Sequence, residues 1–385
     1  MKPHLSRRQW LTRLSGAGAA ALLGPPAVRA AGDLDPRVAG IVRNTISIDA
    51  HNHIDVPLAG VDQPGPDIDL AGEMRRSGLS AICMTFALDY TAIPGPGVAY
   101  DRFLNGMSAF DVRLRRNGMT RALNFADLRR AHDRRQPVVV QSVEGAHFLE
   151  GRLERLEEAY GRGLRHLTLL HDTNAAPPLG DIFTSPPALG GLTPLGADVI
   201  RECNRLGILV DLTHCAVETA TQALKVTTRP VVFSHTGLNT QLVGAPELAN
   251  FLRPRLISKE HARFVADAGG VIGVWAHLAD SAVQYVRNVR AMVDVVGIDH
   301  VCIGTDTKLT PALGRGGGPL PATPPPTAAW RAPLGARTGE IWTDEAPGFY
   351  PAIVDAMLKA GFTAGEIAKV GGGNFCRVFA AATGG

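Results

Sequence analysis

Short apolar, β-branched runs recur along the chain near residues 46–50, 80–86, 137–143, 164–170, 207–212, 230–235, 270–275 and 300–305. Each has the length and near-continuous apolar character of a strand buried on both faces of a parallel sheet. Between them lie stretches with apolar residues at helical spacing, 67–77, 149–160, 197–206, 217–226, 258–268 and 281–295. Several end at the helix-stopping glycines Gly78, Gly161, Gly207 and Gly269. Eight strands alternating with helices predict an α/β fold, and in this length a (β/α)8 TIM-type barrel. A doubly wound sheet is the alternative, but no G-x-G-x-x-G follows the first strand and no Walker-type phosphate loop occurs.

A barrel of this kind carries its chemistry at the C-terminal ends of the strands and in the loops after them. Polar residues gather at those positions. The first run closes in His51-Asn52-His53, the third in Glu144, the fourth in His171, the fifth in His214, the sixth in His235 and the eighth in Asp306. Alternate side chains on a strand share a face, so His51 and His53 should project together. Four histidines and a carboxylate suit a borderline divalent ion, zinc above all, and exceed the needs of one tetrahedral catalytic site with an open position. A two-metal site is therefore expected, in which a carboxylate bridges the ions and a shared water becomes a hydroxide nucleophile. Glu144 is the bridging candidate: it falls between the histidine sets in chain order, and the apolar run before it offers no competing acid.

The N-terminus changes the charge picture. Ser6-Arg7-Arg8-Gln9-Trp10-Leu11, a weakly apolar stretch over 14–23 and Ala-Val-Arg-Ala ending at Ala30 have the layout of a twin-arginine signal peptide over 1–30. Cleavage near Ala30 or Ala31 and a periplasmic or otherwise exported destination are expected, leaving a single catalytic domain over 31–385. The signal segment holds five of the 39 Lys and Arg residues and no acid, so the remainder carries 34 bases against 36 acids. Such a balance provides no field for nucleic acid or an anionic membrane, and no later segment resembles a transmembrane span. Five scattered cysteines among apolar neighbours predict buried thiols rather than a disulfide framework or a Cys-x-x-Cys zinc site.

Taken in order, the motifs resemble those of the membrane (renal) dipeptidase family of zinc peptidases, from about residue 46 to 380. They read Asp49-Ala50-His51-Asn52, Val143-Glu144-Gly145, Leu167-Thr168-Leu169-Leu170-His171, Val210-Asp211-Leu212-Thr213-His214, Phe233-Ser234-His235, Pro254-Arg255-Leu256, Ile303-Gly304-Thr305-Asp306 and Gly372-Gly373-Asn374-Phe375. The resemblance implies that His51 and His53 bind one zinc, that His214 and His235 bind a second, and that Glu144 bridges them. It further implies that His171 contacts the substrate carbonyl or its developing oxyanion, that Arg255 takes the terminal carboxylate, and that Asp306 shuttles a proton from the bridging water to the leaving amine. The guanidinium fork of an arginine suits a carboxylate, and a carboxylate suits the shuttle.

Two departures stand out. Family members mostly carry His-x-Asp in the first motif, whereas here His51-Asn52-His53 is followed by Ile54-Asp55-Val56-Pro57. Anchoring on Asp49 and Asn52 makes His53 the ligand and anchoring on Pro57 makes it Asp55; the first keeps two flanking matches and leaves the site one negative charge poorer. The family's strand-eight Asp-Phe-Asp-Gly is here Asp306-Thr307-Lys308-Leu309, leading into a Gly- and Pro-rich loop at about 309–340, of a size to act as a lid or a flexible insertion. The expected activity is a binuclear zinc dipeptidase acting on small dipeptides, including those with a D-configured C-terminal residue. The alternatives are another amidohydrolase-like activity on a lactone or cyclic amide, or a catalytically silent periplasmic metal or peptide binder. The expected partner is a small dipeptide, with no nucleic acid, no stable membrane span once the signal is removed, and a homodimer as one permitted assembly.

Overall fold

A computed structural model of the chain describes residues 34–56, 58, 67–242, 252–310, 337–342, 344–345 and 348–384. The expected export signal at 1–30, Pro57 and most of the loop at 309–340 lie outside them.

Every apolar run contains a strand: β1 (Ile48–His53), β2 (Ala81–Thr85), β3 (Val138–Glu144), β4 (Leu164–Thr168), β5 (Leu209–Asp211), β6 (Val232–Thr236), β7 (Val271–Val274) and β8 (Val301–Ile303). Neighbours in sequence pair in parallel, and β1 pairs with both β2 and β8, so the sheet closes into an eight-stranded barrel. After an interruption at Gly304-Thr305-Asp306 the chain returns to the sheet as β9 (Thr307–Lys308), matching Asn52 to Thr307 and His53 to Lys308.

The connections are helical. In chain order they are α1 (Pro36–Asn44), α2 (Leu70–Ser77), α3 (Val98–Arg116), α4 (Phe125–Asp133), α5 (Glu154–Gly161), α6 (Pro194–Leu206), α7 (Val217–Val226), α8 (Lys259–Asp267), α9 (Ala282–Val296), α10 (Phe349–Lys359), α11 (Ala364–Ala368) and α12 (Asn374–Thr383). Side-chain caps start many of them, among them Asp69, Thr193, Ser258 and Ser281, each accepting a backbone N–H of the first turn. The sequence pattern did not mark α1, α3, α4 or α10–α12. The longest of these, α3, begins at Gly97 with no side-chain cap and carries Gly106 in its middle. Gly106 is required there, because a Cβ would stand 2.5 Å from the Phe86 ring.

Alternation along the strands divides the apolar residues into two layers. Ile82, Val139, Val210 and Ile272 pack outward into the large core beneath the helices. Cys83, Val138, Val140, Leu209, Val232, Val271 and Cys302 belong to a second cluster that includes Phe375, Val378 and Phe379 of α12. The C-terminal helix thus packs on the lower barrel, and polar side chains occupy the interior above. All five cysteines are buried and unpaired, as their apolar neighbours predict.

Three strands carry an extra residue: β4 does so against β3, between Gln141 and Ser142, and the other two lie at the site. Against β2, β1 slips between Asp49 and Asn52, and against β7, β6 slips between Phe233 and Thr236. Such bulges re-aim side chains, and here they bracket His51 and the pair Ser234-His235. The β6 bulge brings the Ser234 carbonyl so close to β7 and β8 that a Cβ at Gly273 or Gly304 would lie 1.9 or 1.7 Å from it.

Candidate metal centre

Glu144, at the end of β3, is buried and sits at the centre of five imidazoles. Its Oε1 lies 2.9 Å from His214 Nε2, 3.4 Å from His51 Nε2 and 3.8 Å from His235 Nε2. Its Oε2 lies 3.2 Å from His171 Nε2 and 3.6 Å from His53 Nε2. Around it the Nε2 atoms of His51 and His53 stand 3.1 Å apart, and those of His214 and His235 3.2 Å apart. Asp306 Oδ1 completes the rim, 3.0 Å from His53 Nε2. Every predicted strand-end residue therefore reaches one cluster. His171 and His214 do so from three residues past the last residue of β4 and β5, in short loops rather than on the strands.

The arrangement is built with strain at two points. His214 and Asp306 both have left-handed backbones, φ 69° and 57°, a conformation that costs a residue with a Cβ of order 1 kcal/mol and persists only where the surroundings hold it. Asp306 is held by its own N–H, which donates to the His51 carbonyl at 3.0 Å. The preceding Thr305 donates from its N–H and hydroxyl to Asp49, at 2.9 and 2.6 Å. Asp49 also accepts from Asn52 Nδ2 at 2.9 Å, so one buried carboxylate fastens β1 to the loop after β8.

Of the two candidates in the first motif, His53 faces the cluster. Asp55 lies past the end of β1 and is ion-paired with Lys308, which β9 delivers beside it. Asn52 holds the ends of the long loop: its Oδ1 accepts from Leu309 N at 3.0 Å and its Nδ2 donates to Thr338 Oγ1 at 2.9 Å. Arg255 donates to Asp172 Oδ2 at 3.1 Å, and Asp172 Oδ1 is 3.4 Å from His214 Nδ1. The guanidinium is thus one carboxylate away from the cluster.

Several groups at the site carry no role in the sequence reading. Tyr90 hydroxyl lies 2.8 Å from His53 Nδ1, Asp89 grips His171 Nδ1, and Trp275 Nε1 donates to Asp306 Oδ2 at 3.0 Å. His277 Nε2 is 3.0 Å from the Asp306 carbonyl. These residues come from loops after β2 and β7; Asp89, Tyr90 and His277 lie past the apolar runs, and Trp275 closes the run at 270–275 without a polar signal of its own. Asp172 alone had a local signal, since it adjoins His171.

The donor chemistry fits a divalent metal. Ligand atoms of His51, His53 and Asp306, of His51, Glu144 and His235, and of Glu144, His171 and His214 form three overlapping groups, each within 4.8 Å. Glu144 Oε2 is buried without a hydrogen bond of good geometry. Two pairs of nitrogens face one another at contact distance, which suits lone pairs shared with a cation.

Proton equilibria express the same competition. Burial alone would raise the Glu144 carboxyl, but His171, His51, His214 and His53 outweigh it and hold the group well below its usual range. Burial pushes His51 down, and His235 down to about 4. His214 goes the other way, up to about 10, because Asp172 and Glu144 outweigh its burial. A folded pKa above the ordinary 6.5 gives stability that is complete below that value and lost as pH rises through 10. Chelator-treated protein is therefore expected to lose stability, read as a falling melting temperature, as pH rises from 7 to 10 and His214 titrates. Zinc, which needs the lone pair on Nε2, should bind more tightly over that interval. Melting curves at both ends of the range, with and without zinc, check the two opposite slopes.

The barrel and its rim of imidazoles and carboxylates define a protein of the (β/α)8 class with a candidate metal centre at the strand ends. The family model for membrane dipeptidases (peptidase family M19) matches residues 36–316, and the chain belongs to that family. It is similar to an uncharacterized dipeptidase of Schizosaccharomyces pombe, 38% identical over 101 residues that span 25% of this chain and 23% of the yeast protein. In structure it resembles an amidohydrolase from Pseudomonas aeruginosa, with a TM-score of 0.70, 21% identity and coverage of 90% of this chain and 99% of the other. It also resembles a metallopeptidase from Rhodobacter sphaeroides bound to a phosphinate mimic of the dipeptide L-Ala-D-Ala, with a TM-score of 0.63, 18% identity and coverage of 88% and 100%. Among the described residues no helix is long and apolar enough to cross a membrane.

Proposed function

We propose that the chain is a two-zinc dipeptidase that hydrolyses the amide of small dipeptides with a free C-terminal carboxylate, D-configured C-terminal residues included. The observation that carries this reading is the convergence of four imidazoles in two facing pairs on the single buried carboxylate of Glu144. His51 and His53 would hold one ion and His214 and His235 the other, with Glu144 between them. Bound there, zinc supplies Lewis acidity toward the scissile carbonyl and makes a water acidic enough to attack at neutral pH.

The remaining groups act on substrate and protons. Asp306 has its Oδ2 fixed by Trp275, which leaves Oδ1 facing the cluster to accept a proton from the attacking water and return it to the leaving amine. His171, oriented through Nδ1 by Asp89, offers Nε2 to the carbonyl oxygen. Arg255 takes the terminal carboxylate in exchange for Asp172. The twin-arginine pattern at 1–30 would send the folded protein out of the cytoplasm. Family membership supports the peptidase chemistry, and the dipeptide mimic bound by the Rhodobacter metallopeptidase supports the size and stereochemistry of the substrate.

The test is metal analysis joined to a substrate panel. Two zinc ions per chain are expected, with turnover of L,L- and L,D-dipeptides that collapses when the C-terminus is amidated. Turnover of a lactone or cyclic amide with none of the dipeptides would overturn the reading, and so would tight dipeptide binding without hydrolysis.

A further inference from the structure

Ser234 lies in the β6 bulge directly beneath the imidazoles, fully buried. Its hydroxyl is 2.6 Å from Asp211 Oδ2, 2.9 Å from His235 Nδ1 and 3.3 Å from His51 Nδ1. A hydroxyl has one hydrogen and two lone pairs. Asp211 decides where the hydrogen goes, because an ionised carboxylate only accepts. Asp211 is built as an acceptor throughout: Oδ1 takes the N–H and hydroxyl of Thr213 at 3.0 and 2.7 Å and the Ser234 N–H at 3.1 Å, and Oδ2 takes the Thr168 hydroxyl at 2.8 Å. The Thr213 hydroxyl, 3.4 Å from Ser234 Oγ, has already given its hydrogen to Asp211 and does not compete.

With its hydrogen committed downward, Ser234 can only accept from the two rings above it. Both must then carry their hydrogen on Nδ1, which leaves the lone pair on Nε2, the nitrogen that faces Glu144 in each case. His51 belongs to one facing pair and His235 to the other. We propose that Ser234 sets the tautomer of one imidazole in each half of the metal centre, with Asp211 fixing the direction of its hydroxyl. The other imidazoles have separate supports, Tyr90 at His53, Asp172 at His214 and Asp89 at His171. Ser234 is a positioning residue, and it ties the affinities of the two ions together at a point that touches neither. The inference rests on the two-zinc reading above.

Removing the partner that orients a metal-bound histidine typically weakens metal binding by about 10–100-fold. Starting from the zinc-loaded full chain, competition with a chromophoric chelator should show Ser234→Ala weakened by that factor for both ions, and Asp172→Asn for one ion only. Asp211→Asn should weaken one ion only, because an amide Nδ2 would donate to Ser234 Oγ and turn the hydroxyl hydrogen toward one ring, leaving a single lone pair to accept from the other. Nitrogen-15 imidazole spectra of the zinc-loaded wild type should show hydrogens on Nδ1 of His51 and His235 that exchange slowly, and that exchange fast in Ser234→Ala. Loss confined to one ion in Ser234→Ala, loss of both in Asp172→Asn, or a hydrogen on Nε2 of either ring overturns the proposal. A wild type that takes up no zinc fails the two-zinc reading instead, and the wild-type measurement comes first.

Discussion

Glu144→Gln should abolish turnover and leave the protein unable to hold two zinc ions. The substitution preserves size and one acceptor, but it replaces the negative charge that faces five imidazoles with an amide whose Nε2 hydrogens point at the imidazole nitrogens. No other carboxylate in the described residues can take its place: Asp306 reaches His53 and, at 3.8 Å, His51, but not the His214 and His235 pair. Metal assistance contributes several kcal/mol to the barrier, so the expected loss in kcat/KM is at least about a thousandfold. Zinc content per chain and steady-state kinetics on an L,D-dipeptide decide it. A variant that keeps two ions and a tenth of the rate would remove Glu144 from the centre of the site.

Asp306→Asn should separate chemistry from binding. Its Oδ1 faces the cluster while Oδ2 is held by Trp275, and an asparagine can keep that contact while losing the ability to take a proton. General acid–base catalysis contributes about 10²–10⁴-fold. The expected variant has kcat reduced by that range, two zinc ions retained and KM for dipeptides nearly unchanged. If the rate loss comes with loss of one ion, Asp306 is a ligand beside His51 and His53 rather than a proton carrier. A catalytically silent binder would show no change in affinity and no rate to lose.

How much of this could be read from the chain depends on whether a signal is local. The strands were legible because burial on both faces forces continuous β-branched runs, and β3 with its three valines before Gln141 is the clearest case. The cluster residues were legible because the barrel puts function at strand ends. The choice between His53 and Asp55 was not, since both have the parity of His51. What separates them is that β1 stops at His53 and that Lys308, arriving 253 residues later on β9, claims Asp55. Tyr90 and Asp89 lie in a loop whose path is set by tertiary packing. Ser234 was visible within Phe-Ser-His, but its task depends on Asp211 from a neighbouring strand and His51 from across the barrel. Helix α3 escaped for a different reason: its start lacks a capping side chain, and its central glycine answers to Phe86 rather than to helix propensity.

The close approach of the Ser234 carbonyl to Gly273 and Gly304 bears on how this protein can change. Neither glycine is needed for its backbone angles, yet the smallest possible side chain at either would displace the strand that carries both Ser234 and His235. A mutational library covering this rim would find two positions with no tolerated alternative, outside any contact with substrate. Adaptation toward new substrates is thereby channelled away from β7 and β8, toward the loops that bear Tyr90 and Asp172.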